Sequence, residues 1–280
     1  MNGAPRDDHV NGADGGTVNG ARGDEVNTAQ PGDDVCLALD GVSKRFGNLS
    51  VLEDVSFSIS HGERCGIIGP NGAGKSTLFN IIAGDLPLTR GSVHLLGSDV
   101  TRLSAHARAR RGLARTFQTT TLFPRLTVIE NLVLALQAHS AERFAMLVPR
   151  SRYRERDAEA HALLERVGLA SRANATVDAL GYGEKRQIEI LLALAQRPKL
   201  LLLDEPTAGL APSDASLVTE MLKREHAGLT MVLIEHDMGV VFDVVERLIV
   251  LHYGRVVADG PVEAIRGDAN VQEIYLGGKL

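Results

Sequence analysis

Along the chain, short continuous apolar runs alternate with stretches whose apolar residues return every three or four positions. Runs at residues 35–39, 55–59 and 65–68 read as strands, and the third enters a glycine-rich turn. Residues 76–83 follow with helical spacing and stop at Gly84, the residue type best suited to ending a helix. Residues 91–96 read as a further strand. From about residue 121 to 178 the pattern turns helical, most clearly over 128–138 and 157–167. Residues 200–203 and 230–234 are unbroken apolar runs, as expected for strands buried on both faces of a parallel sheet. Residues 213–225 lie between them as a crossover helix with Leu217, Val218, Met221 and Leu222 on one side. Residues 248–251 and 255–258 flank His252-Tyr253-Gly254 and read as a hairpin.

Composition narrows the setting. A 280-residue chain with 44% hydrophobic residues can bury a large core. Residues 1–34 are rich in Gly, Asn and Asp and cannot offset their ordering entropy by burial, so they read as a disordered acidic tail. That tail holds the whole net charge of −5; from residue 35 onward acids and bases balance, which excludes the cationic footprint of a nucleic-acid binder. Cys36 and Cys65 are far apart in apolar stretches, which suits buried hydrophobes in a reducing compartment. The N-terminus lacks the apolar run of a secretory signal, and no apolar stretch is long enough to span a bilayer. Membrane attachment is therefore expected to come through a partner.

Gly69-Pro70-Asn71-Gly72-Ala73-Gly74-Lys75-Ser76 fits G-x-x-x-x-G-K-[ST] between a strand and a helix. Its glycines let backbone N–H groups converge on phosphate oxygens, and the helix start adds positive dipole. Lys75 is placed for the β- and γ-phosphates, the Ser76 hydroxyl for Mg²⁺, and Thr77 completes the phosphate-binding run. The four leucines 200–203 end in Asp204 and Glu205. Asp204 at the sheet edge can hold the magnesium, and Glu205 can accept a proton from an attacking water.

With Pro206-Thr207 after these acids, the chain from about residue 35 to the end resembles the ABC-transporter ATPase family. The resemblance implies an α/β P-loop NTPase fold: a RecA-like parallel sheet core, an antiparallel β lobe, and an α-helical lobe inserted at about 119–180. It implies ATP and Mg²⁺ as cofactors. It also assigns roles. Gln118 matches the glutamine that contacts magnesium and senses the membrane subunits; His236 matches the switch histidine beside the γ-phosphate. Phe46 matches the aromatic that stacks on adenine, with a buried core phenylalanine as the competing reading. Leu180-Gly181-Tyr182-Gly183-Glu184 matches the signature usually written LSGGQ, which faces ATP bound to a second ATPase subunit. Two positions depart from the pattern: Gly181 stands where the family has serine, and Ala211 where it has aspartate. Each removes a polar contact across a homo- or heterodimer, and a weakly hydrolysing scaffold would share these losses.

The finer likeness is to ATPases of branched-chain amino-acid importers and their urea and amide relatives. Arg115-Thr116-Phe117-Gln118, Tyr182, Ala208-Gly209-Leu210 before Pro212, the insert at about 140–156 and Tyr275-Leu276-Gly277 carry it. It implies two transmembrane permease subunits, an extracytoplasmic solute-binding protein, and a peripheral place on the cytoplasmic side of the membrane. Lipopolysaccharide-export ATPases share much of the pattern, including a stretch like residues 106–112. Arg150, Arg152, Arg154 and Arg156 form either a headgroup contact or, in the plainer reading, a solvated basic face.

Overall fold

The computed structural model describes residues 34–116, 122–138, 150–224 and 228–276. The N-terminal tail before residue 34, Phe117 and Gln118, residues 140–149 of the insert, Glu225 and Gly277 lie outside the described residues. The chain begins with β1 (Val35–Phe46), β2 (Leu49–Ser60), β3 (Arg64–Ile68), α1 (Lys75–Ala83), β4 (Arg90–Leu95), β5 (Ser98–Asp99), α2 (Ala105–Ala109) and β6 (Leu113–Arg115). The helices α3 (Val128–Ala138), α4 (Arg150–Arg166) and α5 (Tyr182–Ala195) follow, then β7 (Leu200–Asp204), α6 (Pro212–Arg224), β8 (Thr230–Ile234) and α7 (Met238–Val244). The chain closes with β9 (Arg247–His252), β10 (Arg255–Pro261), α8 (Val262–Arg266) and α9 (Ala269–Leu276).

Among the described residues there are two sheets. One has the order β2-β1-β4-β5 and is antiparallel; the other has the order β10-β9-β3-β8-β7-β6, parallel except for β10. The continuous apolar runs are explained by where the second sheet sits. Leu200, Leu202, Val232, Ile234, Ile249 and Leu251 pack with α1 and the antiparallel sheet, while Leu201, Leu203, Met231, Leu233, Leu248 and Val250 pack with the helices of the other face. Every one of these side chains is essentially inaccessible. Burying each contributes about 1.5–3 kcal/mol, so a polar residue on either face would be selected against equally. That is why no period-2 alternation marks these strands.

Several elements differ from the sequence reading. β1 and β2 each run twelve residues rather than the five read for each of them, because the β1/β2 register shifts between Leu39 and Val42 and again before Lys44. A bulge turns successive side chains to the same face and erases the alternation. Leu217 is 55% exposed: the buried stripe of α6 is Val218, Thr219, Met221 and Leu222, and Leu217 falls beyond its edge. Arg156 is not part of a solvated basic face. It is buried on α4 at the head of the i, i+4, i+8 row that continues with Ala160 and Leu164. Among the described residues no helix is long and apolar enough to cross a membrane.

Candidate functional site

The glycine-rich loop leaves the buried strand β3 and enters α1 through Gly74, whose φ of 102° is open to glycine alone at little cost. At Gly69 (φ 153°) a Cβ would lie 2.0 Å from the carbonyl oxygen of Leu251, so the loop is pressed against the end of β9. The β9–β10 turn locks it there, with the Gly254 N–H donating to Ala73 O at 3.0 Å. Asn71, Gly72 and Ser76 remain exposed on the outer side. Lys75 folds back over the loop and donates from Nζ to Gly69 O at 2.6 Å and Pro70 O at 3.1 Å. Burial lowers its pKa, opposed by the nearby Glu205 and Asp204 carboxylates. A cation held over the glycine-rich loop by carbonyls it can exchange for phosphate oxygens, next to a helix N-terminus, suits a polyphosphate.

Asp204 closes β7 and is buried. Its Oδ2 accepts from Arg115 Nη2 at 3.0 Å, while its Oδ1 is buried with no hydrogen-bond partner among the described residues. Arg115 also reaches Asn80 Oδ1 at 2.6 Å and Asp85 Oδ2 at 3.1 Å. Glu205 follows with φ 46°, unusual for a non-glycine residue, and its N–H donates to Ile234 O at 2.9 Å. Its carboxylate is one-third exposed, and His236 Nδ1 lies 3.9 Å from Glu205 Oε1. Glu235, wholly buried, braces both loops: it accepts from Thr207 N at 2.8 Å, from Thr207 Oγ1, and from His236 N at 3.0 Å. Lys75, Asp204, Glu205 and His236 are thereby gathered at one edge of the parallel sheet.

Phe46, at the end of β1, is 48% exposed with Lys44 Nζ 4.8 Å from its ring centroid, so it is not a core residue. The 180–184 stretch takes a different position. Leu180 is buried and Gly181, at φ −65° and ψ 162°, forms the N-cap of α5. The Gly181 N–H donates to Glu184 Oε2 at 3.0 Å, and Glu184 Oε1 accepts from Arg172 Nε at 2.7 Å. Tyr182 is exposed, and its hydroxyl lies 3.5 Å from Ala208 O. Gly183 is where α5 meets α6, since a Cβ there would lie 2.4 Å from Asp214 Cγ. Among the described residues no hydrogen bond or ion pair joins 180–184 to 69–77.

Three residues of this region carry no signal as isolated letters. Arg186 and Glu235 are buried charges and Arg115 is half-buried, each held by a partner distant in sequence. Arg186 is 5% exposed and donates to the carbonyls of Asp204, Glu205 and Pro206. Arg115 and Glu235 adjoin recognisable positions, and that adjacency is the only clue the sequence holds.

Residues 52–208 match the family model described as ABC transporter. The chain is 38% identical over 249 residues to the high-affinity branched-chain amino acid transport ATP-binding protein BraF of Pseudomonas aeruginosa, covering 86% of this chain and 97% of that protein. It is 34% identical over 245 residues to the lipopolysaccharide export system ATP-binding protein LptB of Haemophilus influenzae, with the same coverages. Among solved structures it resembles a nucleotide-free ATP-binding cassette from an ABC transporter, with TM-score 0.74, 30% identity, and 87% and 99% of the two chains covered. It also resembles a dimeric post-hydrolysis cassette bound to ADP and Pi, with TM-score 0.69, 29% identity, and 81% and 98% covered. With the phosphate loop, the strand-end acids and the histidine in one place, the chain belongs to the ABC transporter family and is one of its ATP-hydrolysing subunits.

Proposed function

We propose that the chain holds Mg²⁺-ATP on the phosphate loop and hydrolyses it with Glu205 as general base, at a site completed by a second ATPase subunit. One juxtaposition supports this: Lys75 over the loop, Asp204 with a buried oxygen that has no partner among the described residues, and Glu205 beside His236. In this reading the N–H groups of Gly69, Pro70 excepted, through Thr77 receive the phosphates, and Lys75 exchanges its carbonyl partners for β- and γ-phosphate oxygens. Asp204 Oδ1, the Ser76 hydroxyl and Gln118 hold Mg²⁺, which when bound neutralises charge on the phosphates. Glu205 takes a proton from the attacking water, His236 approaches the γ-phosphate, and the exposed Phe46 ring stacks on adenine. Leu180, Gly181, Tyr182, Gly183 and Glu184, which bond to no residue of their own phosphate loop, present the α5 N-terminus to the partner's nucleotide.

The 38% identity to BraF favours import of branched-chain amino acids or a related small polar solute. The chain then works from the cytoplasmic side through two permease subunits, with an extracytoplasmic solute-binding protein. The likeness to LptB supplies a second reading, lipopolysaccharide-type export. Glu205→Gln keeps the side chain's shape but cannot act as base, so with Mg²⁺-ATP it should form a stable dimer by size-exclusion chromatography with light scattering and turn over slowly. Wild-type turnover would transfer the base to another residue. Stimulation of reconstituted turnover by an amino-acid-loaded binding protein separates import from export.

A further inference from the structure

Glu205 adopts its left-handed backbone conformation on a turn that one buried arginine holds from beneath. Such a conformation persists only where the surroundings over-determine it. Arg186 Nη2 donates to Asp204 O at 3.0 Å and Glu205 O at 2.9 Å, Nε donates to Pro206 O at 2.9 Å, and Nη1 to Glu189 Oε2 at 3.0 Å. Three successive carbonyls on one rigid planar fork fix the path of the turn in a way a flexible ammonium cannot. The arginine belongs to α5, the helix whose first turn carries Gly181 to Glu184. The same helix is clamped again by the close approach of Gly183 to Asp214.

We propose that Arg186 is a positioning residue for hydrolysis: it sets the backbone that aims the Glu205 carboxylate and joins the signature helix to that turn as one body. The inference rests on the reading of Glu205 as base and of residues 180–184 as facing the partner's nucleotide. A displacement of α5 on engaging the nucleotide of one site then moves the base of the other. Arg186 touches no substrate and acts only through the turn.

The test compares Arg186→Gln and Arg186→Lys with the wild-type full chain, using Mg²⁺ and a fluorescent ATP analogue for binding and phosphate release for turnover. Nucleotide affinity is expected to stay within about twofold while kcat falls roughly 10–100-fold in Arg186→Gln, the size of loss a misplaced catalytic group gives, with partial recovery in Arg186→Lys. In the Glu205→Gln background, Arg186→Gln should lower the single-turnover rate no further, because both changes disable one device. Wild-type kcat in folded Arg186→Gln, a loss confined to nucleotide affinity, or losses that multiply would each overturn the proposal. Should circular dichroism show Arg186→Gln unfolded, Arg186→Lys and Glu189→Gln carry the test, and wild-type kcat in both overturns it. Wild-type turnover in Glu205→Gln alone sinks the base assignment instead, a distinguishable failure.

Discussion

Removing the Arg108 guanidinium should loosen the far end of the phosphate-loop helix at a calculable cost. Arg108 is 2% exposed and donates to Ile81 O and Ile82 O at 2.7 Å, Leu103 O at 3.1 Å and Thr101 O at 3.2 Å. It places a cation at the α1 C-terminus, where the last carbonyls and the negative end of the helix dipole meet. Burial works against the charge by lowering the pKa, with Asp85 and Asp99 opposing. Arg108→Met keeps the stem and deletes the donors. Each hydrogen bond to a charged group contributes about 1.5–3 kcal/mol, and relief of the buried charge offsets part of their sum. A net loss of about 3–5 kcal/mol remains, large against a total stability of about 5–15 kcal/mol. For a domain of this size the melting midpoint should fall by roughly 6–20 °C, read by calorimetry or circular dichroism. Arg108→Lys should fall between, since one ammonium cannot match the four-carbonyl fork. A midpoint loss under about 2 °C in Arg108→Met would refute the idea that this guanidinium carries the α1 terminus.

Two further outcomes follow from local geometry. Gly181 does not need glycine's backbone freedom, because its φ is −65° and an added Cβ meets only Glu184 Oε2 at 3.7 Å. Gly181→Ser in a Glu205→Gln background should therefore strengthen ATP-dependent dimerisation by one hydrogen bond to a charged phosphate, about 1.5–3 kcal/mol or roughly tenfold or more in dissociation constant; weaker association by light scattering would show that the position is not a lost contact. Burial pushes the pKa of both Cys36 and Cys65 thiols up, so native protein at pH 8 should leave a thiol-reactive dye uncoloured until denaturant is added. Above the ordinary thiol value of about 8.5 the unfolded chain loses protons that the folded chain keeps, so these groups make stability fall as pH rises. Rapid labelling of either thiol before unfolding would contradict that burial.

Much of the site was legible because its chemistry is local in sequence. The phosphate loop, Asp204, Glu205 and His236 each stand at the end of an apolar run, and a run that ends at a sheet edge delivers its next residue there. Phe46 could not be resolved from its letters, since a lone aromatic serves a core or an adenine equally well; its exposure at the end of β1 removes the core reading. Arg186 and Glu235 escaped because a buried charge is recognised only by its partners, and Arg115, read only as one letter of the 115–118 stretch, gave no sign of its ion pair with Asp204. Those partners lie 18 to 20 residues away for the carbonyls that Arg186 holds, and 89 for the Asp204 that Arg115 pairs with.

By itself the sequence determined the α/β order, the helix spans at α1 and α3, the strand at β8, and the phosphate loop, because periodicity and glycine placement act within one turn or strand. Tertiary structure alone decided what depends on neighbours brought from elsewhere. It set the bulged length of β1 and β2, the outward turn of Leu217, the burial of Arg156 against the apolar row of α4, and the buried arginines whose carbonyl partners lie on other segments. A side chain's burial is a property of the surface packed against it, and that surface comes into being only when distant segments meet.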